Sequence, residues 1–228
     1  MKKIFTVLFA LLLLTSLSNV NAQTTFSLGV RGGTNFGNLS FSPDIPSQDS
    51  KSSRTGFLFG AAAEIGFIPM LALEVQPTFI TGGAQLSGPL YTNGFQTING
   101  NITYKESSLA IPILIEVKIP IKGQPITPYA FLGPNVYFVM SSKELDEPNG
   151  YPSSESDQSD LITSVGFALD FGAGAAYKVS PQVSLTLDFR YSLGLTNMLN
   201  DKGKQTIGND QSIKSTGFQV AVGAMYGL

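Results

Sequence analysis

The sequence predicts an all-β fold, an eight-stranded antiparallel up-and-down β-barrel with a transmembrane wall. Three observations lead there. The first is the stretch 183–193, V-S-L-T-L-D-F-R-Y-S-L. Here Val183, Leu185, Leu187, Phe189, Tyr191 and Leu193 alternate with Ser184, Thr186, Asp188, Arg190 and Ser192. Side chains on a strand point alternately to opposite faces, so this is one strand with an apolar and a polar face. Soluble strands usually stop at about five or six residues, whereas about 9–11 residues tilted by roughly 45° cross a bilayer. The second observation is that the connections alternate between long and short. The third is that charge is confined to one face of the strands.

The chain opens with Lys2 and Lys3, an apolar run from Ile4 to Leu14, and Val20-Asn21-Ala22. That pattern predicts a cleaved secretory signal peptide over residues 1–22, leaving a barrel domain over 23–228 that begins at Gln23. The apolar run is short for a membrane anchor. No cysteine follows the cleavage point, which excludes a lipid-anchored lipoprotein. An exported chain with a transmembrane strand pattern is expected in the outer membrane of a Gram-negative envelope, as a barrel of outer-membrane type.

The 228 residues include no Cys, His or Trp and 24 Gly. Of 14 basic residues, 12 remain without Lys2 and Lys3, against 16 acidic ones, for a net charge of −4. No basic patch suits nucleic acid. Lack of His and Cys removes most metal sites and most nucleophile–base pairs. After the signal there is no run of 18 apolar residues, as a barrel requires none.

Eight strands are predicted, over 26–36, 54–67, 71–83, 102–119, 126–140, 161–179, 183–195 and 214–227. Connections 37–53, 84–101, 141–160 and 196–213 are long and polar. Connections 68–70, 120–125 and 180–182 are short, with Pro or Gly. This is the rhythm of a barrel with turns on one side of a membrane and loops on the other.

Alternation assigns the faces. Outward residues include Phe26, Leu28, Val30, Phe57, Phe59, Ile65, Phe67, Leu71, Leu73, Val75 and Phe79, and later Leu109, Ile111, Ile113, Ile115 and Val117. Val165, Phe167, Leu169, Phe171, Phe218, Val220 and Val222 complete that face. Inward positions carry Arg31, Glu64, Glu74, Gln76, Glu116, Lys118, Asp170, Asp188, Arg190 and Gln219. A Lys or Arg on the outer face at mid-bilayer would cost about 2–4 kcal/mol, and closure of the sheet satisfies backbone groups where water is absent. Phe26, Phe67, Tyr129, Tyr177 and Tyr226 are expected as an interfacial girdle at the short-turn end. Pro77, Pro112, Pro128 and Pro134 fall within strands, where bulges or ladder gaps are expected. Strand 126–140 does not alternate cleanly and its facing is left unassigned.

Five segments in order resemble the PorT-like outer-membrane β-barrel family of Bacteroidetes. They are G-V-R-G-G-T-N-F from Gly29, L-A-I-P-I-L from Leu109, P-Y-A-F-L-G-P from Pro128, D-F-G-A-G from Asp170 and L-D-F-R-Y-S-L-G-L-T-N from Leu187. The resemblance implies an eight-stranded outer-membrane barrel in a family that includes proteins needed for secretion. It carries no catalytic residues. Many such barrels end on an aromatic residue, whereas this chain ends Met225-Tyr226-Gly227-Leu228, and Tyr226 is expected to serve instead.

The candidate site is the inward polar network Arg31, Glu64, Glu74, Glu116, Lys118, Asp170, Asp188 and Arg190. A barrel of eight strands is wide enough for its own side chains or one small ligand, and buried charges persist only when paired. The network is therefore expected to fill the lumen structurally, against the alternative of a narrow solute pore. A second candidate, the acidic loop 143–160 with Glu144, Asp146, Glu147, Glu155, Asp157 and Asp160, lacks calcium-loop spacing and reads as a solvated surface. Gly29–Gly33 and Gly172–Gly174 lack the helix and lysine of a phosphate loop and instead relieve curvature or make room beside large lumen residues. No common hydrolase triad can be assembled without His or Cys. No catalytic residue, metal or cofactor is expected. The chain reads as a monomeric barrel with both termini periplasmic. It contacts outer-membrane lipid through its wall and envelope or secretion proteins through loops or turns. Binding of a small or lipid-like ligand in the loop-side cup is the further alternative.

Overall fold

A computed structural model describes residues 24–43, 50–92, 97–208 and 210–228; the expected signal peptide lies outside the described residues. Ten strands form one sheet: β1 (Thr25–Ser42), β2 (Ser50–Ile68), β3 (Leu71–Val75), β4 (Thr78–Thr92), β5 (Thr97–Lys118), β6 (Ile126–Pro148), β7 (Ser154–Asp157), β8 (Val165–Lys178), β9 (Val183–Gly194) and β10 (Ser212–Gly227). All pairings are antiparallel. The first strand pairs with both β2 and the last, β10, so the sheet closes. From β10 the ring continues through β9, β8, β6 and β5 and returns to β2 by way of β3 and β4.

β3 and β4 are two halves of one stave, both lying between β2 and β5. The break falls at Gln76-Pro77, where a proline cannot donate to the ladder. Around it, Gln76 N donates to Pro112 O at 3.2 Å and Ala61 N to Pro77 O at 3.0 Å. The stave therefore kinks without leaving these groups unpaired. The ring has eight staves, and β7 is an added strand in a hairpin with β6 at the loop end.

Alternation places the side chains as expected on the clean staves. Phe59 is 58% exposed and Val30 65%, while Arg31, Glu74, Glu116, Asp170, Asp188, Arg190 and Gln219 are buried. An outward surface of this kind in a folded chain is matched to hydrocarbon. Its aromatic rings contact one another, with Phe59 and Phe79 at 5.4 Å and Phe171 and Tyr191 at 5.5 Å between centroids.

Three expectations are corrected. Several staves run well past their expected ends, β1 to Ser42 and β6 to Pro148, whereas β8 and β9 stop within theirs. Beyond the apolar band the pattern inverts, with Leu39 and Ala84 buried on the inward face beneath the loop cap and Ser40 exposed on the outward one, so the wall's alternation does not carry on while backbone pairing does. The sixth predicted strand starts at Val165, four residues late, because Ser159–Leu161 is a 3-10 turn. Tyr129 is inside the barrel, not in the outer girdle, and its hydroxyl donates to Asp188.

The loop end is covered by a docked connection. A short helix, α1 (Asp201–Ile207), is capped by Asn200, whose side chain accepts from Gly203 N at 2.9 Å. The same side chain donates to Asp160 O at 2.8 Å and Ile162 O at 3.2 Å, pinning this connection to the neighbouring one. Just before it, Met198 and Leu199 are buried. Met198 packs with Leu39 and Ala84, and Phe41, Tyr104, Ile162 and Ile213 surround them.

Candidate functional site

The lumen side chains lie in layers because inward positions on adjacent staves stand opposite one another. Nearest the short turns, Lys118 Nζ is 2.5 Å from Glu64 Oε2 and 3.7 Å from Glu116 Oε2. The next layer holds Arg31, whose Nη2 lies 3.5 Å from Asp188 Oδ2, and Tyr129, which donates to the other Asp188 oxygen.

The central layer is organised by Gln76. Its Oε1 accepts from both Arg31 and Arg190, and its Nε2 donates to Glu74 at 2.7 Å. Arg190 Nη1 is 3.4 Å from Asp170 Oδ2. The guanidinium also lies over the Phe131 ring, 5.1 Å from its centre, a cation–π arrangement. Asp170 is 0% exposed. It accepts from Ser192 Oγ at 2.6 Å and Asn135 Nδ2 at 3.1 Å. Paired charges with their remaining lone pairs bonded are the condition under which ionic groups persist in an interior.

β6 supplies the packing of the lumen. Tyr129, Phe131, Asn135 and Tyr137 point inward, while Leu132 and Phe138 point out. Both faces of this stave are therefore largely apolar. The inward rings stand opposite glycines of β8: Tyr137 faces Gly166, Phe131 faces Gly172 and Tyr129 faces Gly174. A Cβ on Gly166 would lie 2.2 Å from the Tyr137 ring, and one on Gly172 or Gly174 would lie 2.7 Å from its partner ring. The glycine-rich segment of β8 is thus the floor on which these rings rest.

All eight sequence-predicted site residues face the lumen. Lys118, Glu64, Glu116 and Glu74 gather at the turn end, and Arg31, Asp188, Arg190 and Asp170 in the layers above. Gln76, read as inward but outside the site, joins the two groups. Tyr129, Phe131, Asn135 and Tyr137 were missed. Their signal was the period of two linking Tyr129, Phe131, Asn135 and Tyr137, masked by apolar residues on the other face.

Among the described residues, chambers follow one another along the axis. One of about 90 Å³ at the turn end is lined by Arg31, Glu64, Glu74, Glu116 and Asp188. One of about 60 Å³ in the middle is lined by Asn35, Glu106, Asn135, Tyr137 and Gln219. One of about 60 Å³ under the loop cap is lined by Leu39, Tyr104, Glu106, Met198 and Leu199. The acidic connection outside is a paired hairpin. Glu155 is bound by Lys105 at 2.7 Å and Lys143 at 2.9 Å, and these hydrogen bonds pull its carboxyl down to about 2. Among the described residues no three carboxylates gather as a metal site.

Over residues 21–200 the sequence matches the family described as the outer membrane protein beta-barrel domain. No curated protein matches in sequence. Among solved structures, the outer membrane protein OprG from Pseudomonas aeruginosa is similar at 12% identity and a TM-score of 0.50, covering 92% of this chain and 99% of its own. That likeness concerns the fold. Neisserial surface protein A is similar at 16% identity and a TM-score of 0.44, covering 87% of this chain and 96% of its own. The outer membrane protease OmpT from Escherichia coli is similar at 10% identity and a TM-score of 0.39, covering 93% of this chain and 100% of its own.

Proposed function

Because this chain belongs to the outer membrane protein β-barrel domain family, we propose that it is a non-enzymatic integral outer-membrane protein with a sealed lumen and a structural or interaction role. The observation that carries the reading is the central layer, in which Arg31, Gln76, Arg190 and Asp170 bridge opposite staves. An ion moving along the axis would have to break several buried charge-assisted bonds at once. A lumen filled in this way leaves the wall for lipid and the loop end for partners. Met198 and Leu199 already occupy the loop-side cup, which argues against a lipid-sized ligand there.

The five segments resembling the PorT-like family of Bacteroidetes support an accessory role in secretion or envelope assembly. In this reading residues 1–22 are removed on export. The mature chain inserts as a monomer with termini and short turns in the periplasm, and its partners are envelope proteins. Mass spectrometry of the protein from outer membranes is expected to find Gln23 at its start.

Planar-bilayer recording tests the central claim. The refolded barrel is expected to give no channels above background, and unitary currents of defined size would overturn the sealed-lumen reading. Affinity purification in mild detergent is expected to retain a stoichiometric envelope protein.

A further inference from the structure

The middle chamber contains an imbalance that the charge network does not resolve. Asn35 Oδ1, Asn135 Oδ1, Gln219 Oε1 and the Tyr137 hydroxyl have no hydrogen-bond partner among the described residues. Each belongs to a side chain more than nine-tenths buried, and all four residues line the same chamber. The two asparagine orientations are set by their amide nitrogens. Asn35 Nδ2 donates to Thr81 O at 2.9 Å and Asn135 Nδ2 to Asp170 Oδ2 at 3.1 Å, which leaves the oxygens as the unused ends. Glu106 lines the chamber too, and none of the ion pairs among the described residues includes it.

Polar groups left unpaired in an interior are costly, and a carboxylate without a counter-charge costs more. Four such atoms around one chamber point to a ligand. The donors are all oxygens: amide, phenol and a single carboxylate. Oxygen donors of this kind select hard cations, and one formal negative charge balances one positive charge. At about 60 Å³ the chamber holds a few water-sized groups and is far below the roughly 300 Å³ of organic-ligand pockets.

We infer that the middle chamber is a binding site for an alkali-metal cation, held by Glu106 with the amide oxygens of Asn35, Asn135 and Gln219. Access is from the loop end. Glu106 lines both the middle chamber and the one under the cap. The middle and turn-end chambers share no lining residue, and the Arg190–Asp170 layer lies between them. A cation that enters therefore meets the guanidinium and stops, which makes this a bound ion and not a permeating one. The inference rests on the sealed-lumen reading only for the side of access. Channels seen in bilayers would leave the site itself standing.

The test is the salt dependence of unfolding of the full mature barrel in detergent. Midpoints are compared in LiCl, NaCl, KCl and N-methyl-D-glucamine chloride at equal ionic strength. One alkali ion is expected to raise the midpoint saturably by about 5 °C over the bulky cation. Glu106→Gln is expected to lose that rise, whereas Glu155→Gln, outside the lumen, keeps it. Equal midpoints in all four salts, or a rise that survives Glu106→Gln, would overturn the inference. Should Glu106→Gln not fold, crystals of the unaltered protein soaked in RbCl decide the matter. An anomalous peak among Asn35, Asn135 and Gln219 supports the site. Its absence means that the chamber holds water only and overturns it.

Discussion

Gln76 accepts a hydrogen bond from Arg190 across the lumen, 114 residues further along the chain. It does so from the position immediately before Pro77, where the third stave breaks into β3 and β4. The proline and the polar layer are thus linked: the kink that Pro77 imposes sits beside the one side chain that receives both Arg31 and Arg190. This linkage ties the kink of the third stave to the polar layer that joins opposite staves.

Replacing Arg190 by Met removes the partner of a carboxylate that has no access to solvent. Asp170 would keep only its bonds from Asn135 and Ser192. Arg190→Met is expected to destabilise the barrel by about 3–5 kcal/mol, read from urea unfolding in detergent. The double variant with Asp170→Asn should regain much of the loss, because the uncompensated charge is gone. Equal stability of the single and double variants would show that the charge is not the cause.

Phe131 and Gly172 are opposed across β6 and β8, so a side chain at 172 has nowhere to go. Gly172→Val is expected to reduce the refolding yield severely, by overpacking worth about 1–3 kcal/mol or more. Phe131→Ala in the same chain should restore part of the yield by vacating the space. Heat-modifiable migration on gels measures both.

Glu155 sits between Lys105 and Lys143, and its carboxyl is held down near 2. A depressed folded-state value means that the contribution is present above the ordinary carboxyl range and lost as pH falls through about 2. Carbon-detected titration of the Glu155 carboxyl should therefore find a midpoint near 2. In the Lys105→Met, Lys143→Met double variant it should return toward the ordinary value of 4.5.

Leu199 is buried beneath the loop cap and forms a bridge with Ile162. Leu199→Ala is expected to weaken docking of this connection by about 2–5 kcal/mol without unfolding the wall. Trypsin should then cut faster at Lys202 and Lys204 in α1, while the heat-unfolding midpoint of the barrel barely moves.

Much of the wall was legible because the membrane imposes a strict rule on each residue. V-S-L-T-L-D-F-R-Y-S-L can meet hydrocarbon on one face only, so Phe189 must be outside and Asp188 and Arg190 inside. The same rule fails on β6. There Tyr129 and Phe131 are inward while Leu132 is outward, and an apolar residue on either face carries no direction. Strand ends were illegible for a related reason: past the bilayer the outward residues such as Ser40 are polar, while inward ones such as Leu39 pack beneath the loop cap, so the rule that holds in the wall no longer applies.

From the sequence by itself came the class of fold, the number of staves and the facing of the charged residues, since alternation and loop length are local properties. Which charges meet, which rings rest on which glycines, and how Asn35, Glu106, Asn135 and Gln219 come to surround one chamber were decided only by the closed sheet. Those contacts depend on stave-to-stave register and on the curvature that brings β1, β5, β6 and β10 around a common axis. Neither quantity is written in any single stretch of the chain.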